Sequence, residues 1–247
     1  MISVLMGVVR WDAYVPIAIQ SVLDQSQAAF ELIVVANGES VDSIAATLQV
    51  NYGSEPRLVV LKSRIPQLAH ALNLGIENAK YDYIARMDAD DVAHPEWLRS
   101  QFAYLNHHQL DMVGCGLRLI DGQGNCLGER IYPRADEIQK HLGFKNCFAH
   151  NSIIIKKKAL LAVRGYNAGL NTEDYDLWLR LRRQGVRWDN TPATLIDYRI
   201  HDESSQRTRL SYAEAAGLAT REFVLQTNMT NFFALCSHLA RAWIRSK

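Results

Sequence analysis

Three carboxylates crowd into the four-residue run Asp88-Ala89-Asp90-Asp91. Like charges held this close repel, and a divalent cation removes that cost. Oxygen ligands suit a hard ion such as Mg²⁺ or Mn²⁺, and such an ion commonly also binds substrate phosphates. The chemistry implied is a metal-diphosphate site. A solvated acidic loop is the plain alternative, because short motifs often carry no chemistry. A second acidic pair, Glu173-Asp174, opens the run Tyr175-Asp176-Leu177-Trp178. Carboxylates there either favour a helix N-terminus through its macrodipole or supply a general base.

These groups need elements to position them. Ile2 to Val9 is a continuous apolar run, read as a buried first strand. Val15, Ile19, Val22 and Leu23 follow at helical spacing. Leu32 to Ala36 is a second strand ended by Asn37-Gly38, Ile44 to Val50 a helix, Arg57 to Leu61 a third strand, Leu68 to Asn78 a helix and Tyr83 to Met87 a fourth strand. Strands alternating with helices argue for an α/β fold with a parallel, doubly wound sheet in this half. Further on, Pro95 opens a helix carrying Leu98, Phe102 and Leu105, with His107-His108 at its solvated end. Met112 to Ile120 is a strand folded into a hairpin at Asp121-Gly122-Gln123-Gly124-Asn125. Asn151 to Ile155 and Ala193 to Tyr198 are further strands, and Thr172 is the N-cap candidate of a helix ending at Arg183. Ligands in open α/β sheets bind outside the carboxyl ends of the strands. Asn37-Gly38-Glu39-Ser40, Arg64 and Asp88 to Asp91 all fall there and are expected to converge on one crevice.

Composition excludes several classes. A chain of 247 residues with 48% hydrophobic content is globular. A net charge of +1 gives no argument for a nucleic-acid partner. Cys115, Cys126, Cys147 and Cys236 are scattered, which disfavours zinc and a disulfide framework and fits reduced thiols in a cytosolic protein. No apolar run is long enough to span a bilayer, and Met1-Ile2-Ser3-Val4-Leu5 lacks the basic start of a signal peptide. The expected location is the cytoplasm, with contact at the inner face of the membrane left open. G-x-G-x-x-G after the first strand and G-x-x-x-x-G-K-[ST] are both missing, which disfavours a dinucleotide fold and excludes a P-loop.

Several segments together resemble glycosyltransferase family 2 enzymes with the GT-A fold. They are Ser21-Val22-Leu23-Asp24-Gln25-Ser26, Phe30-Glu31-Leu32-Ile33-Val34-Val35, Ala71-Leu72-Asn73, Tyr83 to Asp91, Glu173 to Trp178 and Tyr198-Arg199-Ile200-His201. They run in the family's order, and the set especially resembles bacterial enzymes that build capsule, lipopolysaccharide or exopolysaccharide. The resemblance implies a single GT-A (Rossmann-like) domain over 1–205, with a mixed central sheet flanked by helices. Its nucleotide-binding half is about 1–110 and its acceptor half about 111–205, followed by a helical C-terminal extension over 206–247.

The resemblance also implies roles. The reaction is an inverting transfer from a nucleotide-diphosphate sugar, with UDP-sugar the first choice, to a glycan or lipid-linked acceptor. Asp90 resembles the metal ligand, for Mn²⁺ or Mg²⁺, and Asp88 the donor-binding partner; Asp91 sits beside them without an assigned role. Asp174 matches the catalytic base, with Glu173 beside it. His201 is similar to a histidine that completes metal or diphosphate binding, Arg199 to a diphosphate contact and His150 to a cleft residue. Trp178, one turn after Asp174, is either a platform for a sugar face or core packing. Two motifs depart from the family: Gly7-Val8-Val9-Arg10 stands where many members have P-V-Y-N, and Ala36-Asn37-Gly38-Glu39 where many have D-D-G-S. Asn37 offers both a donor and an acceptor to a nucleotide base, so uracil stays compatible. A metal-dependent phosphohydrolase and a non-catalytic sugar-nucleotide-binding module are the rival classes. Phe232, Leu235, Leu239 and Trp243 recur at helical spacing, with Phe233, Cys236 and Ile244 beside them and basic Arg241, Arg245 and Lys247. This tail fits an interfacial helix on anionic lipid over 228–247, packing on the domain, or a homo-oligomer contact.

Overall fold

A computed structural model of the chain describes residues 1–27, 29–167, 171–201 and 208–245. The first half alternates strand and helix as the hydrophobic pattern predicts: β1 (Ile2–Val8), α1 (Tyr14–Leu23), β2 (Phe30–Asn37), α2 (Val41–Tyr52), β3 (Leu58–Ser63), α3 (Leu68–Asn78) and β4 (Tyr83–Arg86). The second half comprises β5 (Val92–Ala93), α4 (Trp97–His107), the hairpin of β6 (Met112–Ile120) and β7 (Cys126–Arg130), α5 (Asp136–His141), β8 (Ile154–Lys156), α6 (Lys157–Ala162), α7 (Glu173–Arg183) and β9 (Trp188–Arg199). Two helices close the chain, α8 (Arg209–Leu225) and α9 (Met229–Arg245). The expected boundary near 205 lies outside the described residues, as does Lys247.

All the strands join one sheet in the order β3-β2-β1-β4-β8-β6-β9-β5, with β7 added on β6. β1 pairs in parallel with both β2 and β4, while β8 runs antiparallel to β4 and β6, so the sheet is mixed. The chain moves outward from β1 through β2 to β3, then returns to the other side of β1 with β4. That reversal is a topological switch point, where a crevice opens beyond the strand ends. β4 delivers the Asp88 to Asp91 run to it.

Strand alternation explains the two cores. On β1, Val4, Met6 and Val8 face a cluster containing Val15 and Ile19 of α1, Ile44 of α2 and Trp97 of α4. Leu5, between them, faces a second cluster with Leu72 of α3, Leu160 of α6 and Leu177 of α7. Helices therefore cover both faces of β1 and β2, whose apolar side chains are all buried, which is why these two strands read as unbroken apolar runs.

Several local expectations change. Pro95 lies in a turn, and α4 starts at Trp97, whose N–H donates to the carbonyl of His94 at 2.9 Å. Residues His150–Ser152 form a 3-10 turn, and strand structure begins only at Ile154. β9 starts at Trp188, five positions before the expected Ala193, because its first half pairs with β6 from Met112 onward. Thr172 occupies the N-cap position of α7 but its hydroxyl makes no cap bond; it donates to Glu214 Oε2 at 3.0 Å. The hairpin turn forms as expected. Asp121 Oδ1 accepts from the N–H groups of Gln123 and Asn125, each at 2.9 Å, and Gly124 supplies the positive φ of 90°.

Candidate active site

β4 ends at Arg86, and its period of two puts Arg86 and Asp88 on one side while Met87 enters the core. Arg86 is buried and forms an ion pair with Asp88. Oxygen atoms of Asp88, Asp90 and Asp91 lie within 4.8 Å of one another. Burial raises the Asp88 carboxyl above its usual range, with Arg86 opposing the shift and Asp90 adding to it.

Asp91 has a distinct place. It is fully buried, accepts a hydrogen bond from Asn151 Nδ2, and accepts from the backbone N–H of Arg199 at 2.9 Å. Burial and the two neighbouring carboxylates push its pKa well up. Asp91 thus pins the end of β9 and the 3-10 turn to the acidic loop.

The end of β9 closes the site. His201 Nε2 lies 3.1 Å from Asp90 Oδ2, and its ring lies 5.4 Å from that of Tyr14 at the start of α1. Arg199 donates from Nε to the Asp90 carbonyl at 2.8 Å and from one terminal nitrogen to the carbonyls of Asp121 and Gly122. Its guanidinium stacks over Tyr14 at 4.5 Å. The described bonds of Arg199 join the acidic loop to the β6–β7 hairpin, and its side chain is buried.

Helix α7 approaches from the other side. Glu173, Asp174 and Asp176 lie in its first turn and Arg180, Arg182 and Arg183 in its last, which matches the helix dipole. Asp174 accepts from Asn146 Nδ2 and from the N–H of Tyr175. Burial raises the Asp174 carboxyl, against those hydrogen bonds and the Arg86 charge. Glu173 is pushed up to about 7 by burial and then by Asp174, and both Arg86 and Asp88 are near enough to act on it. His150 is held well below its usual value by burial and by Arg86, and its Nε2 lies 2.7 Å from the Tyr166 hydroxyl. Arg86 therefore lies among the Asp88 loop, the Glu173-Asp174 pair and the His150-Tyr166 pair.

Trp178 and Arg64 meet other partners, while Asn37 holds the strand-end position expected of it. Trp178 is fully buried, packed 5.4 Å from Phe148 and edge-on to His150, so it is core rather than an open platform. Arg64 is exposed and donates to Asp42 Oδ2 of α2 at 3.0 Å, rather than joining the acidic loop. Asn37 is buried at the carboxyl end of β2, opposite Ser63 in register. Sequence reading assigned no role to Arg86, Asn146, Asn151 or Tyr166. Arg86 carried a signal, two residues before Asp88 on a strand. The amides did not, because short polar residues in loops are common. Asn73 was noted only as part of a motif; its amide grips the Tyr166 backbone, accepting from the N–H at 2.8 Å and donating to the carbonyl at 2.7 Å.

The donor set fits a divalent cation. Three carboxylates converge, and an imidazole nitrogen lies beside Asp90. Within that set His201 suits Mn²⁺ better than Mg²⁺.

Comparison with known proteins agrees with this arrangement. A family model described as Glycosyl transferase family 2 matches residues 3–161. The O-antigen biosynthesis glycosyltransferase WbnJ of Escherichia coli is 44% identical over 247 residues, covering 99% of this chain and 97% of that protein. The putative glycosyltransferase EpsE of Bacillus subtilis is 32% identical over 218 residues, covering 86% of this chain and 77% of that protein. Residues 1–349 of S. aureus TarS superpose with a TM-score of 0.72 at 14% identity, covering 99% of this chain and 72% of that one. The same TarS fragment crystallised with UDP-GlcNAc gives 0.74 at 14% identity, covering 98% and 72%. At that identity the likeness is one of fold, and it is the mixed sheet flanked by helices expected of GT-A proteins. The family match and the two relatives go further: this chain belongs to glycosyl transferase family 2.

Proposed function

We propose that the protein transfers a sugar, with inversion, from a nucleotide-diphosphate sugar to a glycan or lipid-linked acceptor in bacterial surface-polysaccharide synthesis. The observation that carries this reading is the meeting of two acidic clusters around one buried cation. Asp88 and Asp90 come from the end of β4, Glu173 and Asp174 from the start of α7, and Arg86 acts on both. The E. coli relative, named for O-antigen biosynthesis, supports the surface-polysaccharide setting, and the TarS complex with UDP-GlcNAc supports a UDP-sugar donor.

In this reading Asp90 and His201 would hold a divalent ion, with Asp88 on the donor side. When bound there, Mn²⁺ or Mg²⁺ would supply Lewis-acid neutralisation of the diphosphate charge. Asp174 takes the proton of the acceptor hydroxyl while that oxygen attacks the anomeric carbon from the face opposite the diphosphate. Asn146 and the Tyr175 N–H hold the Asp174 carboxylate in place. Glu173, pushed up to about 7, keeps its proton into the neutral range and so limits the repulsion on Asp174. Arg86 restrains Asp88 and keeps the two clusters compatible. Asp91 and Arg199 position the loop and the β9 end.

The test is transfer from UDP-, GDP- and dTDP-sugars to a soluble acceptor fragment, with the anomeric configuration of the product read by NMR. Metal-dependent transfer from a UDP-sugar with inversion is expected. Retention of configuration would remove Asp174 as a base facing the acceptor. Hydrolysis without transfer would favour the phosphohydrolase class.

A further inference from the structure

The closing helix α9 is packed inside out. The face it turns to the domain is small and polar: Asn231, Ala234 and His238 are buried. Asn231 Nδ2 donates to the carbonyl of Gln226 at 2.8 Å, and a terminal nitrogen of Arg241 donates to the Phe144 carbonyl at 2.6 Å. His238 Nε2 lies 3.1 Å from the Gly143 carbonyl and 3.3 Å from the Tyr175 hydroxyl. The large apolar side chains point away. Phe233 is 55% exposed, Leu239 51%, Ile244 65% and Trp243 69%. A helix that merely covered the domain would bury this stripe, and an exposed apolar patch of this kind marks an interaction site.

Charge indicates the occupant. No Asp or Glu occurs from residue 223 to residue 247, and Arg241, Arg245 and Lys247 fall in that stretch. Glu222, just before it, is buried and ion-paired with Arg183. Lys145, beside the carbonyl that receives Arg241, is exposed. We propose that this face of α9 docks on an anionic lipid bilayer. Apolar and aromatic side chains with flanking cations and no acids are the combination that binds such a surface. A second copy of the chain is a poorer occupant, because a two-fold α9–α9 contact offers no carboxylate between residues 223 and 247 to pair with these cations. Among the described residues no helix is long and apolar enough to cross a membrane, so the contact is a peripheral one. Through His238 and Tyr175 the docked helix bears directly on the first turn of α7, one residue from Asp174.

The docking rests on the surface of α9 and not on the donor or acceptor proposed above. The full chain is sedimented with vesicles of phosphatidylcholine alone and of phosphatidylcholine with phosphatidylglycerol, beside the double variant Phe233→Ser, Trp243→Ser. Both positions are exposed, so folding is preserved, and thermal melting checks this. The wild type is expected to bind anionic vesicles at least about tenfold better than neutral ones, and the double variant at least about tenfold worse than the wild type, because insertion and charge act together. Transfer to a soluble acceptor stays unchanged in the variant. Wild type that does not sediment, that ignores lipid charge, or that the variant matches would overturn the proposal. So would a wild-type dimer that the double variant turns into a monomer, which would assign the face to a second copy.

Discussion

The Nε2 atom of His201 lies 3.1 Å from Oδ2 of Asp90, although 111 residues separate them. Asp90 follows β4, and His201 follows β9. The register of β9 on β6 and the buried Asp91 bond to the Arg199 N–H set this distance. Tyr14 completes the contact by lying against both His201 and the Arg199 guanidinium. A pair built from such remote segments is held by the whole sheet, which is the precision the proposed metal site requires.

Asp90→Ala is therefore expected to abolish Mn²⁺-dependent binding of a nucleoside diphosphate while the protein stays folded. Calorimetric titration of UDP with and without Mn²⁺ reads this directly. Unchanged metal-dependent affinity would remove Asp90 from the ligand set.

Asp174→Asn keeps the shape of the side chain and one acceptor oxygen for its two donor neighbours, Asn146 Nδ2 and the Tyr175 N–H, but it cannot take a proton. Turnover is expected to drop by about 10²-fold or more, the usual contribution of a general base, with donor affinity nearly intact. Equal losses in binding and turnover would place Asp174 on the donor side instead.

Arg86 is the counter-ion that lets these acids coexist. Arg86→Met leaves Asp88 without its partner, and breaking a buried pair from one side costs on the order of 3 kcal/mol. A lower melting temperature is expected, recovered in part by Mn²⁺, because the added cation supplies the missing charge. A melting curve that Mn²⁺ does not move would show that the acids lack a common cation site.

Glu173 links the site to stability. Its folded value of about 7 exceeds the ordinary 4.5. Between those values the folded chain holds a proton that the unfolded chain has released, so stability falls as pH rises through that window. Glu173→Gln removes the penalty and is expected to stabilise the fold at pH 8 by on the order of 1–3 kcal/mol, and by little at pH 4. Urea unfolding at both pH values measures it, and an equal effect at the two would mean that Glu173 titrates normally.

The alternation of β1 to β4 with α1 to α3 was legible because burial imposes periods of two and 3.6 on the sequence itself. α3 falls at Leu68–Asn78 as read, and β6 at Met112–Ile120. The acidic run and the Glu173-Asp174 pair stood out for a related reason: adjacent like charges are costly and need a local cause. Where each side chain points was not legible. Trp178 shares a helix with Asp174 but enters the core, because Phe148 and His150 arrive there from a distant loop. Arg64 follows the expected strand, yet it pairs with Asp42 on the outer helix α2. Arg199 is drawn to backbone carbonyls by the return of β9 beside the acidic loop. The α9 stripe was visible as a pattern. That it faces outward follows only from the buried polar contacts of Asn231 and His238 on the opposite side. Sequence periodicity records which side chains leave water. Long-range pairing decides which polar groups meet, because each such bond depends on the register of strands far apart in the chain.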